Sequence, residues 1–342
     1  MLEPMRIAAP VTSPAEAEQV LDAGADELYF GLLLPEWTAV LEDADLWSRR
    51  QGQAAHAASL DDALAIAAAA AARGRTAALA LNARYTRRQA GLVQDAAAAW
   101  EAGGGQAVIV SDLGLLAGLQ RRDSRLRRHL SLLAGVYNAR SVALFVSLGV
   151  CRVILPRDLT VAEIRNLTRA APPVEYEALA IYQRCPFQDE LCGFHHRPRL
   201  PPDEPAEFAY SVLPGRPLPV TLSGDPEYEG HGCQLPWRTP AGLVGWCPRD
   251  DYRRPPCAAC LVPQLQAAGV RVLKIAGRGY PTEMVVRAVR FLRAALELWH
   301  QHGERQAVPE SLRRLYARTF GTPCDAGCCY YTAGSCGACN GG

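Results

Sequence analysis

The chain has 342 residues, 36 Lys and Arg against 35 Asp and Glu, a formal net charge of +1, 49% hydrophobic residues and 12 cysteines. That length admits one large barrel or two ordinary domains, and the composition excludes a chain disordered over most of its length. The near-zero charge argues against a dedicated nucleic-acid binder, which carries a basic excess to neutralise phosphates. No apolar run reaches the roughly 18 residues of a membrane span, and the opening MLEPMRIAAPVTSP lacks the apolar core of a signal peptide. The expectation is therefore a cytoplasmic protein, whose cysteines serve as metal ligands or redox groups rather than disulfides.

In chain order, short strand-like runs alternate with helix-length segments. They are RIAAPV near residue 6, DELYFG near 26, TAALALN near 76, QAVIVSD near 106, LSLLAGVY near 130, CRVILPR near 151, YEALAIY near 176 and VRVLKIAG near 270. Eight such runs predict parallel strands joined by crossover helices, closed as an α/β (β/α)8 TIM-like barrel. Ser13 with Pro14 and Glu16, and Thr160 with Glu163, carry the capping-box pattern that starts a helix. Gly24, Gly74 and Gly103 to Gly105 stand where helices should stop. The basic run QRRDSRLRRH, with Arg121, Arg122, Arg125, Arg127 and Arg128, reads as a solvated helix end.

Two interruptions break the spacing. The first, Leu32 to about Ala58, contains Trp37 and Trp47. The second, from about 182 to 266, is rich in Pro, Gly, Cys and His and shows little periodicity. Such a loop is tolerated in a compact domain only when something cross-links it, and thiolates can do so through a metal. Both should emerge at the C-terminal rim of the barrel, where active sites of this architecture sit. The barrel domain is placed at 1–303, ending in an amphipathic helix of about Thr282 to His302, and a C-terminal extension at 304–342 carries the tail TPCDAGCCYYTAGSCGACNGG.

Cys185, Cys192, Cys233, Cys247, Cys257 and Cys260 all fall in the long insertion. Six thiols in one polar segment exceed what packing needs, and four converging thiolates suit either zinc or an iron–sulfur cluster. Spacing leaves that choice open, although the separation of Cys185 and Cys192 is wider than a zinc knuckle. Cys324, Cys328, Cys329, Cys336 and Cys339 in the tail are candidates for a second cluster or zinc, against a flexible redox-sensitive tail. Cys151, on a predicted strand, reads as a core thiol.

Several blocks, in order, then resemble one family. They are APVTSPAEAEQVLDAGADELYFG, VIVSDLGLL, NARSVALFVSLGVCRVILPRDLTVAEI and LKIAGRGYPTEMVVRAVRFLRAAL. The chain resembles the collagenase-like peptidase family, peptidase family U32, over nearly its whole length. The resemblance implies a barrel and, as in chemically understood members, a 4Fe-4S cluster. By position its ligands would be Cys185, Cys192, Cys233 and Cys257, with Cys247 and Cys260 competing for the last place. Two departures stand out: Ile181-Tyr182 where the family has His-Gly, and Ala276 where its LKIEGR block has Glu. The tail matches no part of the family pattern.

The family name implies a peptidase. However, the chain has neither a His-Glu-x-x-His nor a Gly-x-Ser-x-Gly motif. His195, His196 and His231 lie near candidate ligands, and a ligated cysteine is no nucleophile. Better-understood relatives resemble oxygen-independent hydroxylases acting on a ubiquinone-precursor ring or on a nucleotide in RNA, with a prephenate-like oxygen donor. The RNA branch tends to carry extra domains, and the charge balance here points away from RNA. The implied function is oxygen-independent hydroxylation of a small aromatic or quinone-precursor substrate, with a partner subunit of the same family. RNA nucleotide hydroxylase, peptidase and non-catalytic cluster-bearing partner remain alternatives. Substrate contacts are placed at predicted C-terminal strand ends: Tyr29, Asn82, Asp112, Asn138, Arg157 and Lys274. Arg157 and Lys274 suit a carboxylate, or a structural ion pair closing the rim.

Overall fold

The computed structural model describes residues 4–38, 47–48, 50, 53–183, 188–191, 206–213, 216–222, 237–238, 244–245, 254–303, 307–325 and 328–331. The chain forms two compact units, one of Met1–Ser48, Gln53–Cys192 and Asp250–Gly342, the other of Arg49–Gly52 and Gly193–Arg249.

The first unit is the barrel. Its strands are β1 (Arg6–Pro10), β2 (Glu27–Leu32), β3 (Thr76–Leu81), β4 (Ala107–Val110), β5 (Arg127–Leu130), β6 (Val150–Ile154), β7 (Glu175–Ile181) and β8 (Val270–Ile275). They are parallel in the order β1-β8-β7-β6-β5-β4-β3-β2, and pairing of Ala8 to Pro10 with Glu27 to Tyr29 closes the cylinder. After each strand comes a helix: α1 (Pro14–Asp22), α2 (Leu60–Ala72), α3 (Arg87–Ala102), α4 (Leu113–Arg121), α5 (Ala139–Ser147), α6 (Val161–Ala170), α7 (Val262–Ala267) and α8 (Thr282–His302), with α9 (Ala307–Phe320) following. The eight-stranded barrel expected from the alternating runs is the architecture found.

Strand alternation divides the core in two. Ile7, Ala9, Leu28, Phe30, Leu79, Leu81, Val108 and Val110 join the large cluster shared with the helices. Tyr29, Ala78, Ala80, Ala107, Ile109 and Ile154 form a separate small cluster. The helix-start pattern is complete at α6, where Thr160 Oγ1 accepts from the Glu163 amide at 3.2 Å and Glu163 accepts from the Thr160 amide at 2.8 Å. At α1 only half is made: Ser13 Oγ accepts from the Glu16 amide, while the Glu16 carboxylate takes the Thr12 amide instead.

Three expectations are corrected. The fifth strand is not the apolar run after residue 130 but the basic RRHL before it, and Leu132–Ala134 forms a tight turn. Arg128 is therefore no solvated helix end. It is buried, donating to the Leu119, Ser124 and Leu148 carbonyls, so its charge satisfies the oxygens that the ends of α4 and α5 leave open. Gly149, at φ +79, is obligatory beside it, because a Cβ there would lie 2.0 Å from Arg128 Nη1. Nor is the long insertion without regular structure: Ala206–Leu213 and Arg216–Leu222 form an antiparallel hairpin, and Trp237–Arg238 pairs with Val244–Gly245. Among the described residues, no helix is long and apolar enough to cross a membrane.

Candidate functional site

Glu27 on β2 and Arg152 on β6 stand on opposite sides of the cylinder, so their contact runs through its interior. Arg152 Nη2 donates to Glu27 Oε1 at 2.8 Å, Nη1 donates to Glu177 Oε2 at 3.0 Å, and Nε pairs with Glu175. Lys274 Nζ donates to Glu177 Oε1 at 2.6 Å, and Arg6 pairs with Glu27 and Glu175. Three cations thus balance three carboxylates, the condition under which buried charge is tolerable. Arg152 is 1% exposed.

This network sets the protonation of its members. Burial alone would raise Glu27, but Arg152 and Arg6 outweigh it and hold the carboxyl below its ordinary value. Burial draws Lys274 down, and the opposing pull of Glu177 does not fully offset it. His129, 2% exposed and with no hydrogen-bond partner at Nε2, is held well below its usual value by burial and then by Arg152, Arg127 and Lys274. It is a neutral imidazole. None of Glu27, Arg152, Glu177 or His129 was foreseen as a site residue, although charged residues inside the apolar runs DELYFG, CRVILPR and YEALAIY were the available signal.

The residues expected at the strand ends separate into four groups. Tyr29 and Lys274 come together: Nζ sits 3.8 Å from the centre of the Tyr29 ring, and the phenol donates to the Ile275 carbonyl at 2.7 Å. Asn82 accepts from Ser48 at 3.1 Å, and Ser48 in turn accepts from Arg278 at 2.8 Å. That line needs glycine at 31, since a Cβ there would lie 2.2 Å from Arg278 Nη1 and 2.5 Å from His56 Cδ2. Above it Trp37 and Trp47 pack with ring centres 3.6 Å apart, and Tyr85 donates to the Trp47 carbonyl. Asp112 and Asn138 are helix N-caps, accepting from the Leu115 amide at 2.7 Å and the Ser141 amide at 2.9 Å. Arg157 forks onto Asp189 at 2.6 and 2.8 Å and reaches the Gln183 carbonyl.

Of the candidate thiol ligands, Cys185, Cys192, Cys233, Cys247, Cys336 and Cys339 lie outside the described residues. Cys257 lies at the end of β7, bridged antiparallel to Ile181 and parallel to Cys329. Its amide donates to the Cys328 carbonyl at 2.7 Å, its carbonyl accepts from Tyr330 at 2.9 Å, and its Sγ accepts from the Ala259 amide at 3.3 Å. Beyond Ile181 the chain turns through two left-handed residues, Tyr182 (φ 62) and Gln183 (φ 51), an unfavourable pair without glycine. Tyr330 and Tyr280 fasten Gln183, and the Pro256 carbonyl fastens the Tyr182 amide.

Tyr316 donates to the Pro255 carbonyl at 2.8 Å. Burial raises its hydroxyl, and the neighbouring thiols of Cys328, Cys257 and Cys324 raise it further. Among the described residues no three His, Cys, Asp or Glu side chains are already arranged around a metal position. Thiols are donors that a soft metal or an iron–sulfur group would accept, and the Ala259 amide is directed at the sulfur of Cys257.

The sequence matches the model of peptidase family U32 over residues 12–196 and 248–335. The chain belongs to this family. The stretch that the match passes over lies inside the second compact unit, so the barrel unit carries the family's sequence. The match also runs into the tail, correcting the expectation that the tail has no counterpart. Cys185, Cys192, Cys257, Cys324, Cys328 and Cys329 lie within it, Cys233 and Cys247 outside.

Among solved structures, a U32 peptidase is 14% identical with a TM-score of 0.43, over 80% of this chain and 93% of that one. A 2,3-dimethylmalate lyase is 12% identical with a TM-score of 0.39, over 92% and 90%. A dimeric archaeal Rubisco from Hyperthermus butylicus is 11% identical with a TM-score of 0.47, over 94% and 66%. A search of curated protein sequences finds no match.

Proposed function

We propose that this U32 family member is an iron–sulfur enzyme that hydroxylates a small aromatic or quinone-precursor ring without molecular oxygen. The observation that carries this reading is the placement of Cys257, at the C-terminal rim of the barrel, held by main-chain bonds on both sides and with an amide on its sulfur. By the family resemblance Cys257 would be one thiolate ligand of a 4Fe-4S cluster there; the other candidate ligands, Cys185, Cys192 and Cys233, lie outside the described residues. Such a cluster supplies or accepts single electrons, with a potential set by burial and by hydrogen bonds to sulfur.

The chain's own side chains do the rest. Lys274, lying over the Tyr29 ring, offers a cation beside an aromatic face, which suits a substrate or a prephenate-like donor bearing a carboxylate. Glu177 keeps that ammonium in place through its 2.6 Å bond. Arg157 is oriented by Asp189 and adds positive field beside Gln183.

The test is purification of the full chain under strict exclusion of oxygen, with iron and sulfide analysis, followed by single turnover with a phenolic quinone-precursor ring and prephenate. Bound iron and sulfide with gain of one oxygen atom by the ring are expected. A colourless protein, free of iron or loaded only with zinc, overturns the reading.

A further inference from the structure

Of the 36 Lys and Arg in the chain, 35 are arginine, and the one lysine is Lys274. Arginine meets every other demand for positive charge, from surface pairs such as Arg73 with Glu18 to the buried Arg152. It also pairs with a carboxylate at least as well as lysine does, so the ion pair with Glu177 gives no reason to keep a lysine here. What lysine has and arginine lacks is a proton it can give up, which leaves a nucleophilic amine. The single lysine stands where that loss is easiest. Its side chain is 8% exposed, inside the barrel near the C-terminal end of β8, with Nζ 3.8 Å from the centre of the Tyr29 ring. Burial draws its ammonium below the usual lysine range against the pull of Glu177, and Arg152 adds to the lowering.

We propose that Lys274 is a nucleophile that forms an imine with a 2-oxo carboxylate bound in the barrel mouth. The proposal deepens the reading above and rests on it only in placing substrate at Lys274; no cluster takes part, and the prephenate-like donor named there contains such an oxo acid. Nζ donates to Glu177 Oε1 at 2.6 Å, so its proton can cross to the carboxylate without changing the net charge of the pair. The freed amine attacks the oxo carbon: a C–N bond forms, the π pair of the C=O bond moves to oxygen, and that oxygen takes the proton from Glu177. A second proton, passed from nitrogen through Glu177, lets the hydroxyl leave as water. The product is a protonated imine, with no oxidant or reductant consumed and with Glu177 again facing a cation. The surroundings suit the carboxylate of such a substrate. One step toward the mouth from Tyr29, on the same face of β2, is Gly31, and the buried Arg278 guanidinium lies over it while donating to Ser48 at 2.8 Å. An oxo carbon at Nζ directs the adjoining carboxylate toward this arginine.

The experiment incubates the full-length protein separately with pyruvate, phenylpyruvate and acetone, reduces each mixture with borohydride and maps the adducts by peptide mass spectrometry. Because the chain has one lysine, only Lys274 and the terminal amine can be labelled, and the peptides tell them apart. A reduced adduct on Lys274 is expected with at least one of the two oxo acids and at most a trace with acetone. In heavy-oxygen water the protein should also speed exchange of the oxo oxygen, since each cycle of imine formation and hydrolysis replaces it. Lys274→Arg, which keeps the charge beside Glu177, should abolish both signals. Trapping in the wild type does not depend on any variant folding. Absence of an adduct on Lys274, whether or not the terminal amine is labelled, overturns the proposal, as does exchange that survives in Lys274→Arg. Acetone trapped as readily as pyruvate overturns the preference for a 2-oxo carboxylate. An adduct on protein without iron upholds the imine while the iron–sulfur reading falls; bound iron and sulfide without an adduct do the reverse.

Discussion

At the scale of single residues, Arg152 is the most consequential side chain in the barrel. It bonds three carboxylates from two other strands while almost fully buried. Replacing it with Met leaves Glu27 without its main counter-charge and Glu177 with Lys274 alone, and removal of one partner from such a network costs about 3–5 kcal/mol. Urea unfolding of Arg152→Met should show that loss as a lowered midpoint with an unchanged slope. Glu27 carries a pH signature. Its folded-state value lies below the ordinary 4.5, so the stability it contributes is fully present above that pH and is lost as pH falls through the lowered value. Unfolding measured between pH 7 and 3 should weaken in the acid range, and Glu27→Gln should flatten that dependence. If Lys274 binds substrate as proposed, Lys274→Met lowers kcat/KM by about tenfold or more, the loss expected for a charge-assisted contact. An unchanged kcat/KM would make Lys274 a structural partner of Glu177 alone.

At the scale of elements, α9 is held by aromatic packing: Phe291 of α8 meets Tyr316 at 5.9 Å and Phe320 at 5.2 Å between ring centres. Phe291→Ala should cost about 3–5 kcal/mol as a cavity in a closed core. Because α9 leads into the tail, the same variant should raise the alkylation rate of Cys328, which is otherwise buried. Helix starts were readable in the sequence because caps are local: Thr160 and Glu163 close their own turn. Asp112 and Asn138 show the opposite hazard. A polar residue just after a strand is equally suited to a pocket or to the cap of the next helix, and in both cases the side chain binds its own helix. The fifth strand escaped sequence reading for a related reason. Its arginine and histidine are buried by partners from α4, α5 and the barrel interior that no local pattern announces.

At the scale of the whole molecule, two independent divisions agree. The family match passes over 197–247, and the second compact unit includes Gly193–Arg249. Replacing 194–248 with a short Gly-Ser linker should therefore leave the barrel unit with native far-ultraviolet circular dichroism and a cooperative thermal transition. A loss of cooperativity would make the insertion part of the barrel's own core. Iron content of that deletion also reports on Cys233 and Cys247, the two insertion cysteines outside the family match.

The order of strands and crossover helices, the stops at Gly24 and Gly74, the long helix Thr282–His302 and the family itself were written in the sequence, because periodicity, caps and motif order are properties of neighbouring residues. The tertiary structure alone decided that Glu27 and Arg152 meet across the barrel, that Arg157 is bound to Asp189, and that the tail lies against Cys257. Those partners are 125, 32 and 72 positions apart. A charge or a thiol carries no local record of which distant residue will share its burial; only closure of the cylinder brings them together.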